Sequence, residues 1–187
     1  MTSTSEATAT TQLTAGTWAI DPVHSSIAFS IRHLMVSKAR GRFDNFSGAI
    51  VVAEDGTPSV TAEIAVDSIN TGNEHRDAHV KAADFFDVEN YPIATFRSTG
   101  VRANGDSYVL DGEFTLRGVT KPVSLDLEFA GTNPGMGHGE VAGFTASVVL
   151  NRKDFGVGGD LPLETGGVVL GEKVTITLEI EALKQAS

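Results

Sequence analysis

Hydrophobic and polar residues alternate one for one along most of the chain from Ala15 onward, the period of a strand with one buried and one wet face. Val174, Ile176, Leu178 and Ile180 share one face, and Thr175, Thr177, Glu179 and Glu181 the other. The same alternation runs through Val123 to Phe129, with Val123, Leu125, Leu127 and Phe129 apolar, and through Ser59 to Asp67, with Val60, Ala62, Ile64 and Val66 apolar. Further strands fit His24 to His33, Arg42 to Ala53, Ile93 to Arg102, Ser107 to Leu116 and Val141 to Leu150, giving eight. Asp55-Gly56, Asn104-Gly105-Asp106 and Arg117-Gly118 supply turn chemistry between alternating runs. Asn73 to Ala83 (NEHRDAHVKAA) breaks the pattern; Asn73 is placed to cap a short helix whose first turn carries Glu74 and Asp77. Gly131 to Gly139 and Gly156 to Gly167 read as long loops.

Eight antiparallel strands with one apolar face each must stack as a sandwich or close on themselves. Short hairpins between consecutive strands favour an up-and-down barrel, which leaves no edges exposed. At about eight strands the interior is filled by side chains or holds one slender ligand.

Composition narrows the function classes. The 187 residues suit one domain. A net charge of -10 makes the molecule as a whole repel nucleic acid and anionic membrane surfaces. The chain has no cysteine, which removes disulfides, thiolate nucleophiles and Cys-based metal sites. Residues 1–15, rich in Thr, Ser and Ala, read as a disordered tail without the basic and apolar regions of a secretory signal, so a cytoplasmic location is expected. No apolar run approaches the ~20 residues of a membrane span.

Each candidate for chemistry has a plainer explanation. His75 and His79 project from one helix face beside Asp77, but His24, His33 and His138 add no third ligand at recognisable spacing, so no metal is expected. Arg76 and Asp77 suggest an ion-paired cap over the barrel. Asp111 and Glu113 stand on an outward face, where water and separation argue against a tuned acid/base pair, and no G-x-S-x-G elbow occurs. GVGG at Gly156 to Gly159 lacks the Lys and helix of a phosphate loop. Arg32, His33, Lys38, Arg40 and Arg42 cluster within a short stretch. The plain reading of the cluster is a solvated strand face and turn; the sharper one concerns His33, which shares parity with Ile27, Phe29 and Ile31 and so stands as an imidazole at the end of an apolar wall, a polar group at a cavity mouth that orients an amphiphile. The ten Phe residues are spread over most elements as core or cavity wall, and small residues such as Gly48, Ala62 and Gly112 on inward faces would leave room along the axis.

The blocks HSSIAFSIRHLMVSKARGRF (His24 to Phe43), SINTGNEHRDAHVKAADFFDVENYPIATFRST (Ser68 to Thr99), FTLRGVTKPVSLDLEF (Phe114 to Phe129), LNRKDFG (Leu150 to Gly156) and LETGGVVLGEKVTITLEIEA strongly resemble the YceI-like family of polyisoprenoid-binding proteins. The resemblance runs from about Trp18 to Lys184. It implies an all-β, eight-stranded, extended lipocalin-like barrel with one short capping helix at NEHRDAH. It also implies a tunnel for a long-chain amphiphile such as a polyprenyl phosphate, an isoprenoid quinone or a fatty amide, and no catalysis. Carried onto this chain, the tunnel walls come from Phe29, Ile31, Phe43, Ile64, Phe85, Phe96, Phe114, Leu125, Leu127, Phe144 and Ile176, with His33 at the mouth. The family often has an aromatic-containing stretch after the RKDFG block, whereas Val157 to Leu163 has none. Many relatives are exported.

The expectation is therefore a tail over 1–15 and a single lipid-binding domain over 16–187. It binds, carries or sequesters an isoprenoid-type lipid without cofactor, metal, nucleic acid or transmembrane segment, and a homodimer is admitted as an assembly. The rivals are an enzyme acting on such a lipid and a stress-related interaction module with a filled barrel.

Overall fold

The computed structural model describes residues 12–158 and 169–187. Eleven strands form one continuous sheet: β1 (Gly16–Ile20), β2 (Ser26–His33), β3 (Ser37–Phe43), β4 (Phe46–Val52), β5 (Pro58–Ala65), β6 (Ile69–Asn70), β7 (Ile93–Asn104), β8 (Ser107–Leu116), β9 (Val119–Asn133), β10 (Val141–Asn151) and β11 (Leu170–Lys184). Eight of them close into an antiparallel barrel in the order β1, β4, β5, β7, β8, β9, β10, β11, with β11 returning to β1. The all-β barrel read from the alternation is the observed fold.

Its length comes from the sharing of β11. Ala182 to Lys184 pair with β1, while Leu170 to Glu179 pair with β2. β2 in turn pairs with β3, and β1 with β4. Strands β1 and β2 thus continue one another along β11, as do β3 and β4, between which only Asp44 and Asn45 intervene. Taken as two long strands they make one hairpin, and the up-and-down order holds around the ring. The run expected from Arg42 to Ala53 is the end of β3 followed by β4. The short β6 covers β3 only at Arg42 and Phe43, so from Ser37 to Gly41 the outer edge of β3 has no strand neighbour among the described residues. The expected loop over Gly131 to Gly139 begins as strand instead, because β9 stays paired with β10 through Asn133 and absorbs the change by a register shift at Gly143/Phe144.

Turn residues act as their backbone chemistry requires. Arg117 and Gly118 both take positive φ (50° and 72°) in the two-residue loop joining β8 to β9, the geometry that matches strand twist. By contrast, Leu34 and Met35 at the β2–β3 tip hold φ of 51° and 63°, a conformation that costs a bulky residue about 1–3 kcal/mol.

Helix α1 (Glu74–Val80) is capped as its sequence asks: the Asn73 side chain accepts from the Arg76 backbone N–H at 2.9 Å. Arg76 and Asp77 do not pair with each other as expected. Asp77 Oδ1 accepts from the Thr71 N–H (2.9 Å) and hydroxyl (2.5 Å), while Arg76 donates to the Thr71 hydroxyl (2.8 Å) and carbonyl (2.7 Å). Both therefore fasten the helix to the chain leaving β6.

One end of the barrel is packed around Trp18, which is fully buried with Leu13, Ile50, Val52, Ala142 and Ala182. Trp18 Nε1 donates to the Thr14 carbonyl at 3.1 Å, and the Lys184 ammonium sits 5.7 Å from the indole centroid. Of the stretch expected as tail, residues 1–11 lie outside the described residues, and Leu13 is buried in this cluster. At the opposite end Phe85, Phe155 and Val157 are buried beneath α1 and the segment that follows it.

Candidate functional site

Between these two ends lies a cavity of about 700 Å³, within the range of small-molecule sites. All eight ring strands, β2, β3 and α1 contribute to its wall. Parity decides which residues face it: β11 presents Val174, Ile176, Leu178 and Ile180, and β9 presents Val123, Leu125, Leu127 and Phe129. The alternation thus sets the apolar wall that the strands give the bore.

All twelve residues singled out in the sequence line this cavity: Phe29, Ile31, His33, Phe43, Ile64, Phe85, Phe96, Phe114, Leu125, Leu127, Phe144 and Ile176. Ile31, Phe85 and Leu125 are buried; the others are half-buried although they point inward, because the bore itself is wide enough to admit solvent. Their aromatic rings form pairs along the wall, with Phe29–Phe43 at 5.7 Å and Phe129–Phe144 at 5.2 Å between centroids.

The inward glycines play a different part from the one expected. A Cβ at Gly112 would overlap the ring of Phe96, one at Gly41 would stand 2.5 Å from Phe29 Cζ, and one at Gly48 would stand 2.7 Å from Ile20 Cδ1. These positions do not leave open space. They let Phe96, Phe29 and Ile20 lie close against the neighbouring strand, and the free volume is what remains along the axis once those side chains are flattened onto the wall.

Among the described residues, the charged and imidazole groups of the lining enter at the end where β11 begins: His33, Arg40, Arg76, His79, Asp84 and Arg152. Reasoning from the sequence found His33 through its parity but missed the rest as a group. Arg40 lines the cavity although its parity sets it opposite Ser30, away from the inward Ala39 and Gly41, and Arg76, His79 and Asp84 arrive through α1 and the segment after it, which is tertiary information. The available signal was the helix motif itself, whose His75 and His79 drew attention as ligands. His79 Nε2 is 3.6 Å from Asp84 Oδ2 and its ring packs edge-on to Phe85 at 5.0 Å, whereas His75 is exposed.

Arg152 is the one charged residue in the protein's described core, 5% exposed. It donates to the carbonyls of Gly171 (2.7 Å), Val157 (2.9 Å), Gly158 (2.7 Å) and Leu170 (3.3 Å). Arg117 adds a second brace, donating to the Gly156 carbonyl at 2.7 Å and the Ala83 carbonyl at 2.6 Å. Together they hold the backbone around the charged end. Of the Val157 to Leu163 stretch that lacks an aromatic, Val157 lines the cavity and residues 159–163 lie outside the described residues, as does most of the loop expected over Gly156 to Gly167.

Groups with displaced proton affinity stand away from the bore. Asp111, which faces outward as expected, accepts from Arg102 at 2.6 and 3.0 Å and from Ser124 at 2.6 Å, and the Arg102 hydrogen bonds above all hold its carboxyl below the usual range. Glu113 pairs separately with Arg97 at 3.1 Å. Asp21, His24 and Glu181 form a cluster of two carboxylates and one imidazole away from the bore, among the described residues the group best placed to gather metal-ligand atoms. There His24 Nδ1 is already engaged by Asp21 at 2.7 Å, which raises the His24 pKa and lowers that of Asp21. No helix among the described residues is long and apolar enough to cross a membrane.

Comparison with known proteins places this geometry. The model of the YceI-like domain matches residues 18–182. A UPF0312 protein of Staphylococcus aureus strain N315 is 39% identical over 165 residues, covering 86% of this chain and 94% of its own. A Campylobacter jejuni YceI protein is similar in structure with a TM-score of 0.71 and 28% identity, over 83% of this chain and 91% of that one. A polyisoprenoid-binding domain from Saccharophagus degradans, implicated in plant cell wall breakdown, shares the fold at a TM-score of 0.67 and 16% identity, over 90% of this chain and 98% of that one.

Proposed function

The chain belongs to the YceI-like domain family, and from that premise we propose that it binds, carries or sequesters a long-chain isoprenoid-type lipid without chemically altering it. A polyprenyl phosphate or an isoprenoid quinone represents the class. The observation that carries this reading is the about 700 Å³ bore, apolar along its wall and charged at one end. Such a shape suits one long apolar chain with one polar head. The fifteen residues of β11 extend about 50 Å at ~3.3 Å per residue, so even a tilted wall accommodates an extended chain. Burial at ~25 cal/mol per Å² of apolar surface supplies most of the affinity, and the charged end fixes orientation. The twelve lining residues named above are the proposed contacts, with His33, Arg40 and Arg76 at the head.

The enzymatic reading has less to stand on. Among the described residues Asp84 is the sole carboxylate in the lining, and its neighbour His79 is, like Asp84 itself, more than half exposed at 59% and 66% of the side chain, where water screens any mutual tuning. A filled barrel is at odds with the cavity. The comparison with the Saccharophagus degradans domain supports the choice of ligand class.

Mass spectrometry of an organic extract of the purified protein tests the proposal. A long-chain isoprenoid amphiphile near one per chain is expected. An extract without lipid, from a protein that takes up none when offered it, sinks the carrier reading. Phe114→Trp separates bore from solid core: it should lower lipid content with little change in the melting of delipidated protein, whereas overpacking of a filled core costs ~1–3 kcal/mol. The cytoplasmic location and the homodimer belong to the same proposal; cell fractionation and light scattering read them directly.

A further inference from the structure

The hairpin tip between β2 and β3 is built against local folding preference in three ways. Leu34 and Met35 occupy left-handed conformations (φ 51° and 63°), positions where such hairpins ordinarily carry Asn, Asp or Gly. The side chains they and Val36 present are apolar yet exposed, at 41%, 49% and 83%. On the strands just below, Arg32 lies directly opposite Lys38, a like-charge cross-strand pair that destabilises a sheet.

None of these features serves the barrel. The β2–β3 ladder would close as well over Asn-Gly, and the core lies beneath the opposite face. From Arg32 to Phe43 the chain carries four cations (Arg32, Lys38, Arg40 and Arg42) and no carboxylate, within a protein of net charge -10. Arg42 is engaged by Asp44 at 2.7 Å, while Arg32, Lys38 and Arg40 are exposed. Three apolar side chains at a tip, with a collar of cations behind them, match the profile of a lipid interface: hydrocarbon at the surface, anionic phosphate around it. The tip also continues into the cavity mouth, since His33, Ala39 and Arg40 line the bore.

We propose that the Leu34-Met35-Val36 tip with Arg32, Lys38 and Arg40 is a docking surface for an anionic phospholipid bilayer. The tip sinks its apolar side chains among the headgroups, and the cations hold the phosphates around it. Repulsion by the acidic remainder of the molecule keeps the contact confined to this end and reversible. A cavity mouth beside the contact would face the membrane. The surface does not depend on what the bore holds, so delipidated protein must dock as well.

Co-sedimentation of the delipidated full chain with vesicles decides the matter. Vesicles of phosphatidylcholine and phosphatidylglycerol at seven to three should carry the protein down at low salt. Phosphatidylcholine alone should carry down far less, and raised salt should release most of the bound protein. Leu34→Asn with Met35→Gly and Val36→Ser keeps the turn in its preferred residues; it should melt no lower than the wild type and lose vesicle binding at least about tenfold. Arg32→Glu with Lys38→Glu keeps a like-charge pair in place and should abolish anionic binding, because each neutralised cation alone is expected to weaken it about fivefold. Failure of the wild type to sediment with anionic vesicles, or equal binding by either variant, overturns the docking surface and makes a protein partner the better occupant. The lipid content of the purified protein is a separate readout, so loss of this inference and loss of the carrier reading are distinguishable.

Discussion

At the end of the barrel where β11 finishes, Trp18 is fully buried, Ala182 and Ala142 pack against it with no exposed surface to speak of, and Lys184, paired with Trp18 on the same face, lays its ammonium over the indole and donates to the Thr14 hydroxyl instead of lining the cavity. At the end where β11 begins, six charged or imidazole groups reach the cavity, a buried arginine is spent on backbone carbonyls, and the tip holds exposed apolar residues in strained conformations. The same alternation builds both ends. The difference is that the first end buries apolar side chains around Trp18, whereas the second sets its own buried cluster of Phe85, Phe155 and Val157 beside charged groups that reach the cavity and a strained tip, which is how a fold separates what holds it together from what it presents to a ligand.

Mutations at the two ends should therefore fail differently. The largest effect is expected from Trp18→Ala, which empties the packed end: a loss of about 3–5 kcal/mol, measured by chemical denaturation of delipidated protein. A loss under about 1 kcal/mol would mean that this end is not the stabilising one. Next comes Arg152→Met at the open end. It removes the donor from four carbonyls, each costing roughly 1–3 kcal/mol if left buried without a partner, less whatever water then reaches. Because the arginine pins both Val157-Gly158 and Leu170-Gly171, hydrogen exchange at those amides should rise more than in the Trp18 cluster. Uniform acceleration across the barrel would remove the distinction between the ends.

A smaller effect is expected for the groups proposed to meet the head. Arg40→Ala and Arg76→Ala should each weaken binding of an anionic long-chain amphiphile by about tenfold or less, since partly solvated ion pairs contribute about 1 kcal/mol or less. Binding of an uncharged chain of the same length should hardly move. Equal losses for both ligands would point to damage of the bore rather than of a head site.

The smallest effect belongs to the outer wall, at neither end. The Asp111 carboxyl is held below its ordinary value chiefly by Arg102. Between the lowered folded pKa and the unfolded one, near 3.8, the unfolded chain binds the extra proton, so this group's stabilisation is present above that window and is lost as pH falls through it. With the side chains 29% and 38% exposed, the contribution is about 1 kcal/mol or less. Asp111→Asn should flatten the acid limb of stability against pH while leaving ligand affinity unchanged. At His24 the sign is opposite: its raised pKa favours folding at low pH, and that advantage is lost as pH rises through the folded value.

What the sequence disclosed follows the same division. Regions whose residues alternate were legible, because inward and outward are fixed by parity once a sheet closes, and of the twelve residues singled out only Phe85, which follows α1 and lies in no strand, owes its place to the resemblance alone. β3 was read only at its end because its inward face is Ala39, Gly41 and Phe43, small residues over which the Phe29 ring lies, so no apolar rhythm marks it. β9 was cut short at Gly131 because glycine ordinarily signals a loop, yet pairing with the long β10 carries the strand on to Asn133. Arg40, Arg76, His79 and Asp84 could not be gathered from the sequence because Arg40 lines the cavity against its strand parity and the docked helix segment brings the other three to it. Leu13 sits beyond the first strand, with no local pattern to distinguish it from a tail.

The orientation of a chain inside the bore is the most direct check, and the protein has a built-in reporter: Trp18 is its single tryptophan and belongs to the packed end beside Phe129 and Phe144 of the cavity wall. Delipidated protein should be titrated with two polyprenyl phosphates of equal length, one brominated at the tail and one beside the head, while indole fluorescence is followed. Strong quenching by the tail-labelled lipid and little by the head-labelled one is expected if the chain runs inward from the charged end. No quenching by either lipid, or stronger quenching by the head-labelled one, would show that the bore does not hold a lipid in this way.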